Sequence, residues 1–158
     1  MNSSDLAAFI AANGITAEII LLPDHTPTVE VAAQALGVRI EQVAKSILFL
    51  AEGSPVLVIA NGTNRIDYRR LRDYLNLSRK RIKMADADQV LSIAGYIVGS
   101  MPPFGHKARL RTLIDARMFE QPEVFAGGGS INAMLRITPN EIVRVTDGEK
   151  VDVTQNAS

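Results

Sequence analysis

Apolar residues recur at helical spacing in five segments of the chain. In the first segment Leu6, Phe9 and Ile10 follow Ser3 or Ser4 as the expected cap, and this spacing defines one face of a helix. The predicted helices cover residues 4–13, 28–36, 67–75, 86–94 and 138–145, with a further helical turn within residues 38–44.

Short runs rich in β-branched and aromatic residues predict strands between these helices. The runs cover residues 17–22, 46–50, 55–60, 81–84, 96–98, 112–114, 124–125 and 134–137. Glu52, Gly53 and Ser54 separate the second run from the third, which indicates a β-hairpin. Because helices and strands alternate irregularly, the pattern favours an α/β fold of the α+β type, with a mixed β-sheet surrounded by helices.

A single domain accounts for this pattern. The 158 residues fall within the usual size of one domain, about 100 to 200 residues. We expect one folded unit over residues 1–153 and a frayed tail over residues 154–158. The N-terminal stretch has no basic segment ahead of its apolar residues, and no apolar run is long enough to span a membrane, so the expected location is cytoplasmic.

Composition narrows the possible chemistry. The chain has no cysteine, which excludes thiol nucleophiles, disulfides and iron–sulfur clusters. Its 17 basic and 17 acidic residues cancel, and a neutral sum argues against indiscriminate binding to nucleic acid. Residues 65–83, however, contain eight basic and two acidic residues. This basic segment is either a solvated surface with local ion pairs or a docking patch for a polyanion.

Conventional catalytic signatures are absent from the sequence. It contains no P-loop, nucleophile elbow, zinc-protease helix or dinucleotide-binding fingerprint. Its two histidines, His25 and His106, would need carboxylate partners to hold a metal, and no spacing suggests them. We therefore expect neither a metal nor a cofactor.

Glycine-rich loops and one lysine remain as candidates. The loops cover residues 61–64, 99–106 and 126–130, and each alone is more simply explained as a turn. Pro102 and Pro103 stiffen the second loop. Its N–H groups at Gly99, Ser100 and Met101 are expected to be free, as in an oxyanion hole.

Lys45 directly precedes an apolar strand, on the same face as Ile47 and Phe49. Such a lysine either reaches solvent at the end of the strand or is held beside a pocket. Taken alone, the solvent-facing interpretation is the simpler one.

Taken together, these segments resemble a known family. They are, in order, Lys45-Ser46 before the strand, Met84-Ala-Asp, Gly95-Tyr-Ile-Val-Gly99 leading into Pro102-Pro103-Phe-Gly-His106, and Gly127-Gly-Gly129. This ordered set, with a GxxxP loop from Gly99 to Pro103, resembles the YbaK/ProX family of aminoacyl-tRNA editing deacylases. That family is similar to the editing domain inserted in bacterial prolyl-tRNA synthetases. The resemblance covers about residues 28–145.

The resemblance implies a freestanding trans-editing hydrolase of the same fold. Such an enzyme deacylates a mischarged aminoacyl-tRNA, here tRNA-Pro or a related tRNA that carries a small amino acid such as Ala, without a covalent intermediate. Lys45 and Gly99 are implied to be catalytic, and the Gly99–Pro103 loop to orient the ester carbonyl. The residues implied to bind substrate are Thr28, Ser46, Ser100, Met101, Pro102, Pro103, Phe104, Gly105, His106, Gly127, Gly128, Gly129, Ser130 and Met134. Ser46, residues 104–106 and residues 127–130 are expected to line one pocket.

The implied partner is the acceptor end of an aminoacyl-tRNA, with an aminoacyl-tRNA synthetase as a further candidate. Neither a membrane nor DNA is expected as a partner. Within the basic segment, the residues expected to dock tRNA are Arg65, Arg69, Arg70, Arg79 and Arg81.

Three positions depart from the family pattern. Ala94 stands where many relatives have Thr, Ser100 where many have Gly, and Met134 where the cysteine-editing branch has an acid. A thioether in place of an acid makes the pocket more apolar. This change favours alanine or another small residue over cysteine as the amino acid removed.

Two other functions remain open. The first is a non-catalytic module that binds aminoacyl-tRNA or a synthetase, for which Ala94 and Ser100 leave room. The second is a small-molecule esterase, whose activity would be untouched by charge reversal of the docking arginines. Lys45 favours catalysis, and an aminoacyl ester is already activated, so orientation and carbonyl polarisation suffice for its hydrolysis.

Overall fold

The computed structural model describes residues 1–155, and this part of the chain forms five α-helices and eight strands. The helices are α1 (Ser3–Ala12), α2 (Val29–Leu36), α3 (Tyr68–Leu75), α4 (Ala87–Ala94) and α5 (Pro139–Thr146). The strands are β1 (Glu18–Leu21), β2 (Ala44–Ala51), β3 (Ser54–Asn61), β4 (Ile82–Met84), β5 (Arg111–Asp115), β6 (Val124–Gly127), β7 (Ala133–Ile137) and β8 (Glu149–Val151). Short 3-10 turns cover Ile40–Gln42, Arg79–Arg81 and Ala116–Glu120. None of the helices in these residues is long and apolar enough to cross a membrane.

Local capping chemistry explains where the helices begin and end. The Thr28 side chain accepts a backbone N–H of the first turn of α2, and Gly37 ends that helix at a φ of 69°. At α1 the cap is Asn2 and not the expected Ser3 or Ser4, because the Asn2 carboxamide accepts two N–H groups of the first turn.

The strands form two sheets, where the sequence pattern predicted one mixed sheet. The larger sheet has the order β4-β2-β3-β5-β8, with β5 parallel to both of its neighbours and the other pairs antiparallel. The smaller sheet, β1-β7-β6, is antiparallel. An isolated bridge between Val43 and Phe125 joins the two. The predicted fold class is confirmed, whereas the division of the strands into two sheets was not predicted.

The central strands of the larger sheet are buried on both faces. On β3, Leu57 and Ile59 pack into the main core, while Val56 and Val58 face a second core with Leu71 of α3. Burial on both faces accounts for the uninterrupted apolar run that predicted this strand.

One strand prediction is wrong, and one strand was not predicted. Residues 96–98 form a turn, in which Tyr96 is fully buried and its hydroxyl donates to the carbonyl oxygen of Gly105 at 3.4 Å. Strand β8 was not predicted, because its three residues are too few to show alternation.

The C-terminal segment is held to the fold beyond residue 153. Thr154 is fully buried and forms a bridge with Ile66, and the Gln155 N–H donates to the Arg65 carbonyl oxygen at 2.8 Å. The frayed tail predicted over residues 154–158 is therefore wrong for its first two residues. The other three, 156–158, lie outside the described residues.

Candidate active site

A cavity of about 240 Å³ lies where the two sheets meet, between α2, the start of β2 and the loop that follows α4. We call it the lysine cavity. Seven of the predicted site residues line it: Thr28, Lys45, Ser46, Gly99, Met101, Gly127 and Met134. Both residues implied to be catalytic therefore lie on one cavity.

Lys45 contributes a cation whose proton affinity is reduced. It lies within β2, opposite Ala60 of β3, and is half-buried. Burial lowers the pKa of its ammonium group, the positive charge of Arg65 lowers it further, and Glu30 acts in the opposite direction. The Lys45 ammonium therefore loses its proton at a lower pH than an exposed lysine does.

Ser46 contributes a hydroxyl without a partner. Its Oγ is buried and makes no hydrogen bond within residues 1–155. Leaving a buried polar group unpaired costs about 1–3 kcal/mol, so such groups in a folded protein call for an explanation, often a functional one. At the wall of a cavity, a ligand is the natural partner for this hydroxyl.

Two residues of the GxxxP loop that line the same cavity, Gly99 and Met101, have free backbone N–H groups. Gly99 is exposed and has a φ of 93°, a conformation that glycine adopts without strain. Throughout the described chain, the N–H groups of Gly99 and Met101 have no hydrogen-bond acceptor. Two of the three N–H groups predicted to be free are thus available to a ligand oxygen.

Ser100 does not bind in the way that was predicted. Its N–H donates to the carbonyl oxygen of Ile97 at 3.2 Å, and its Oγ donates to the same oxygen at 2.9 Å. Ser100 is fully buried and does not line the lysine cavity. It shapes the turn that carries Gly99, so serine in place of glycine here leaves the cavity wall unchanged.

Residues 103–106 line a different cavity of about 320 Å³, so the expected single pocket is wrong for residues 104–106. Phe104 stacks on Phe9 of α1, with ring centroids 5.9 Å apart. The Nε2 of His106 donates to the carbonyl oxygen of buried Pro102 at 2.8 Å. Burial lowers the pKa of His106. Phe104 therefore packs against α1, and His106 stabilises the loop through its hydrogen bond to Pro102.

The glycines after β6 fix the position of the loop. Gly127 lines the lysine cavity and lies directly against the backbone of Met101. The N–H of Gly129 donates to the carbonyl oxygen of Ser100 at 2.9 Å. The loop is thus held at two points by backbone contacts.

Gly128 and Ser130 serve the fold. The N–H of Gly128 donates to the carbonyl oxygen of Ala133 and closes the turn between β6 and β7. The Ser130 Oγ accepts the N–H of Ser3 at the start of α1. Because these two residues and Gly129 do not line the lysine cavity, the prediction that they share its wall is wrong.

The remaining wall of the lysine cavity is largely apolar. Met134 lies in β7 opposite Gly127, and its sulfur is 4.0 Å from the Oγ1 of Thr26. Sequence reasoning missed seven lining residues: Thr26, Pro27, Val29, Ala32, Val43, Ala44 and Val98. Of these, Val29 and Ala32 carried a signal, since their i,i+3 spacing places both on the inner face of α2.

The acidic and metal-binding chemistry of this site is limited. The residues that line the lysine cavity include no Asp, Glu or His. Nowhere in residues 1–155 do three such side chains gather in a way that could hold a metal ion. The site therefore offers one lysine, hydroxyls and backbone N–H groups.

The basic segment is divided between internal contacts and open surface. Three of the predicted docking residues are engaged within the chain: Arg70 with Asp152 at 2.7 Å, Arg81 with Glu52, and Arg79 over the Tyr68 ring at 3.7 Å. Arg65 and Arg69 are exposed, and their side chains have no hydrogen-bond or ion-pair partner in the described part of the chain. Of the five predicted docking arginines, these two therefore have unengaged guanidinium groups.

Comparison with known proteins decides the family. The sequence profile of the aminoacyl-tRNA editing domain matches residues 23–145. The chain belongs to the aminoacyl-tRNA editing domain family. The resemblance to YbaK/ProX proteins inferred from the sequence motifs is thereby confirmed.

Several curated proteins are similar to this chain in sequence. The chain is 32% identical over 116 residues to the uncharacterized protein YwhH of Bacillus subtilis, which covers 73% of this chain and 72% of that protein. It is 33% identical over 84 residues to the proline–tRNA ligase of Thermosipho melanesiensis, which covers 51% of this chain and 14% of the ligase. The editing domain thus spans only a small part of that much longer relative.

A solved structure matches the chain over nearly its full length. That protein is described as a proposed trans-editing enzyme for prolyl-tRNA synthetase. The TM-score is 0.90 at 28% identity, over 98% of this chain and 97% of the other.

Proposed function

We propose that this protein is a trans-editing hydrolase that removes a wrongly attached small amino acid from tRNA. The observation that carries the proposal is the lysine cavity, where Lys45, the free N–H groups of Gly99 and Met101, and the unpartnered Ser46 hydroxyl lie together. Cations and fixed N–H dipoles are the groups that stabilise an ester carbonyl as it becomes an oxyanion.

The proposed reaction needs no nucleophilic side chain. The oxygen of a water molecule attacks the ester carbonyl carbon, and the carbonyl oxygen becomes negatively charged. The bond between that carbon and the ribose oxygen then breaks, and the ribose oxygen takes up a proton from the attacking water. The products are the free amino acid and a tRNA with an intact terminal ribose. Holding the ester in position supplies much of the acceleration, because orientation replaces a costly encounter.

Lys45 is assigned to charge stabilisation. Its ammonium group lies in a partly buried setting, where a charge acts more strongly on a developing oxyanion than it would in water. The N–H groups of the GxxxP loop act on the same oxygen and require no proton transfer. Within this loop, Gly99 both lines the lysine cavity and is exposed to solvent.

The apolar wall favours a small aliphatic amino acid. Val29, Ala32 and Met134 provide apolar surface and no carboxylate for a polar side chain. Several relatives are named proline–tRNA ligases, which supports tRNA-Pro as the tRNA, and the apolar wall supports alanine as the amino acid that it carries. A pocket distinguishes side chains that differ by one methylene by only about 1–3 kcal/mol. Serine and cysteine differ from alanine by a single polar atom, so they are the informative competitors.

The test is deacylation of tRNA-Pro charged separately with alanine, serine, cysteine and proline. We expect release of alanine, and a loss of roughly 100- to 1000-fold in kcat/KM for Lys45→Ala, the scale of removing one oxyanion-stabilising group. Lys107→Ala is the matched control, because Lys107 is exposed and lies outside the lysine cavity. Thermal melting confirms that both variants are folded.

Two outcomes would overturn the proposal. If folded Lys45→Ala keeps most of the wild-type rate, the assignment of the lysine is wrong. If the wild-type protein binds mischarged tRNA and releases none of the four amino acids, the protein is a binding module of the same fold.

A further inference from the structure

A second cavity of about 170 Å³ adjoins the lysine cavity. Four residues line both: Ser46, Val98, Gly99 and Met101. The second cavity continues along Ile47, Leu48, Met84, Ala85 and Val90, between β2, β4 and α4. We call it the apolar cavity, since Ser46 supplies its only side-chain polar group among the described residues.

We propose that the apolar cavity receives the purine base of the terminal nucleotide of the tRNA. This assignment rests on the proposed function. It adds to that function which end of the substrate each cavity holds. The amino acid then occupies the lysine cavity, and the ribose ester crosses the shared wall at Ser46 and Gly99.

The chemistry of the two cavities sets this direction. An aminoacyl group carries a positively charged amine, which cannot be buried without polar partners. The lysine cavity offers the hydroxyls of Thr26 and Thr28, whereas the apolar cavity offers apolar side chains around the single Ser46 hydroxyl. The face of a purine loses little by leaving water, and methionine sulfur packs favourably on aromatic rings. Met84 and Met101 both line this cavity.

The edge of β2 adds polar groups at one side of the cavity. The Ala85 N–H donates to the carbonyl oxygen of Leu48 at 2.9 Å, after which the chain turns away into α4. Alternate residues of a strand direct their backbone groups to the same edge, so the N–H and C=O of Ser46 point to the edge that β4 leaves uncovered. The buried Ser46 Oγ, which lacks a partner in the described chain, lies beside them.

The position of the basic segment agrees with this direction. Met84 is the last residue of β4, which follows directly on the 3-10 turn Arg79–Arg81. Lys80 and Lys83 are exposed, and in residues 1–155 neither has an ion-pair partner. A base in the apolar cavity places the preceding phosphates next to these cations, where neutralisation favours binding.

The test compares ligands that differ only in the base. The first probe is 3′-deoxy-3′-(L-alanylamino)adenosine, a stable amide analogue of the alanylated terminus. The second is the same alanylamino sugar with hydrogen in place of the base. We expect wild-type protein to bind the adenosine compound at least about tenfold more tightly, because it gains the contacts to the base.

Met84→Glu places a charge at the mouth of the apolar cavity. We expect this variant to lose most of the preference for the adenosine compound and to keep its affinity for the base-free sugar. A charge effect on the amine common to both probes cancels in the ratio of the two affinities. Met84 is 54% exposed, so the substitution is tolerated, and Leu91→Glu is the control at an exposed position outside the cavity.

Equal affinity of the wild-type protein for the two probes would overturn the assignment. So would a Met84→Glu variant that instead changes the preference between alanyl and leucyl adenosine analogues, because the cavity would then hold the amino-acid side chain. Both probes resist hydrolysis, so the result is independent of turnover. A base preference without deacylation of mischarged tRNA removes the proposed catalysis alone, and deacylation without a base preference removes this assignment alone.

Discussion

Gly127 and Met101 are packed backbone to backbone: a Cβ added at position 127 would lie 2.2 Å from the carbonyl oxygen of Met101. No flexible side chain can move to relieve that contact, so an added methyl group must displace either β6 or the GxxxP loop. The positions of the loop N–H groups therefore depend on a glycine that makes no hydrogen bond to them.

We expect Gly127→Ala to lower kcat/KM for deacylation by about tenfold or more, since small misplacements of positioning groups have large effects on rate. The control is Gly53→Ala in the β2–β3 hairpin, where φ is 82° and nothing lies within 4 Å. That change should cost about 1–2 kcal/mol in the free energy of unfolding and leave kcat/KM unchanged. A Gly127→Ala protein that deacylates at the wild-type rate would show that the loop position does not govern the rate.

Ser46→Ala should separate stability from activity. Removing a buried hydroxyl that lacks a partner is expected to leave the free energy of unfolding unchanged or raise it by up to about 1 kcal/mol. Deacylation should slow, because the hydroxyl is assigned to the ester and its ribose. Ser54→Ala, at an exposed hairpin position, should change neither quantity. A less stable Ser46→Ala protein would mean that the hydroxyl contributes to the fold.

The charges around Lys45 predict two opposite shifts in its titration. Arg65 lowers the pKa of Lys45 and Glu30 raises it. Arg65→Gln should therefore move the alkaline loss of activity to higher pH, and Glu30→Gln should move it to lower pH. NMR titration of the Lys45 side chain checks the assignment independently of the alkaline lability of the ester. Shifts of the same sign in both variants would exclude Lys45 as the titrating group.

His106 should make stability depend on pH. Burial lowers its pKa below the ordinary value of 6.5, so below that pH the unfolded chain takes up a proton that the folded chain resists. The stabilising contribution is complete above about pH 6.5 and declines as the pH falls toward the lowered pKa. Chemical denaturation at about pH 7.5 and about pH 5.5 should show a smaller difference for His106→Gln than for wild type. An identical difference in both proteins would assign the pH dependence to other groups.

Arg69 and Arg70 should differ although they are adjacent. Arg70 binds Asp152 and the carbonyl oxygen of Thr154, so Arg70→Ala should lower the midpoint of thermal unfolding. Arg69 is exposed, and Arg69→Ala should leave that midpoint unchanged. It should weaken tRNA binding and reduce the slope of log affinity against log salt by about one. An unchanged slope would remove Arg69 from the docking surface.

The local parts of this structure could be predicted from the sequence, and the non-local parts could not. Thr28 and Gly37 indicate where α2 begins and ends, because capping involves only residues that are close in the sequence. The separation of β1, β6 and β7 into a second sheet depends on pairing between residues such as Ile20 and Met134, which no local pattern records. Strand β8 forms by pairing with the edge of β5. Its three residues are too few for their own pattern to predict a strand.

The same division applies to the candidate site. Lys45 and Gly99 were predicted through ordered motifs, and both line the lysine cavity. Phe104 and His106 were predicted to line the same pocket, although Phe104 stacks on Phe9 of α1 and both residues line the other cavity. Ser46 was expected to bind substrate, but only the structure shows that its hydroxyl has no partner.

Because Thr154 is buried, the smallest fragment that can fold on its own must extend at least to this residue. The family profile covers residues 23–145. Val151 and Val153, however, belong to the second core, and Leu6 of α1 belongs to the main core. A fragment trimmed to the profile would expose apolar surface on both sides of the larger sheet and would be prone to aggregate. An editing domain grafted onto another protein should therefore carry at least residues 2–155, so that the Asn2 cap of α1 is kept, with its fusion points outside both ends.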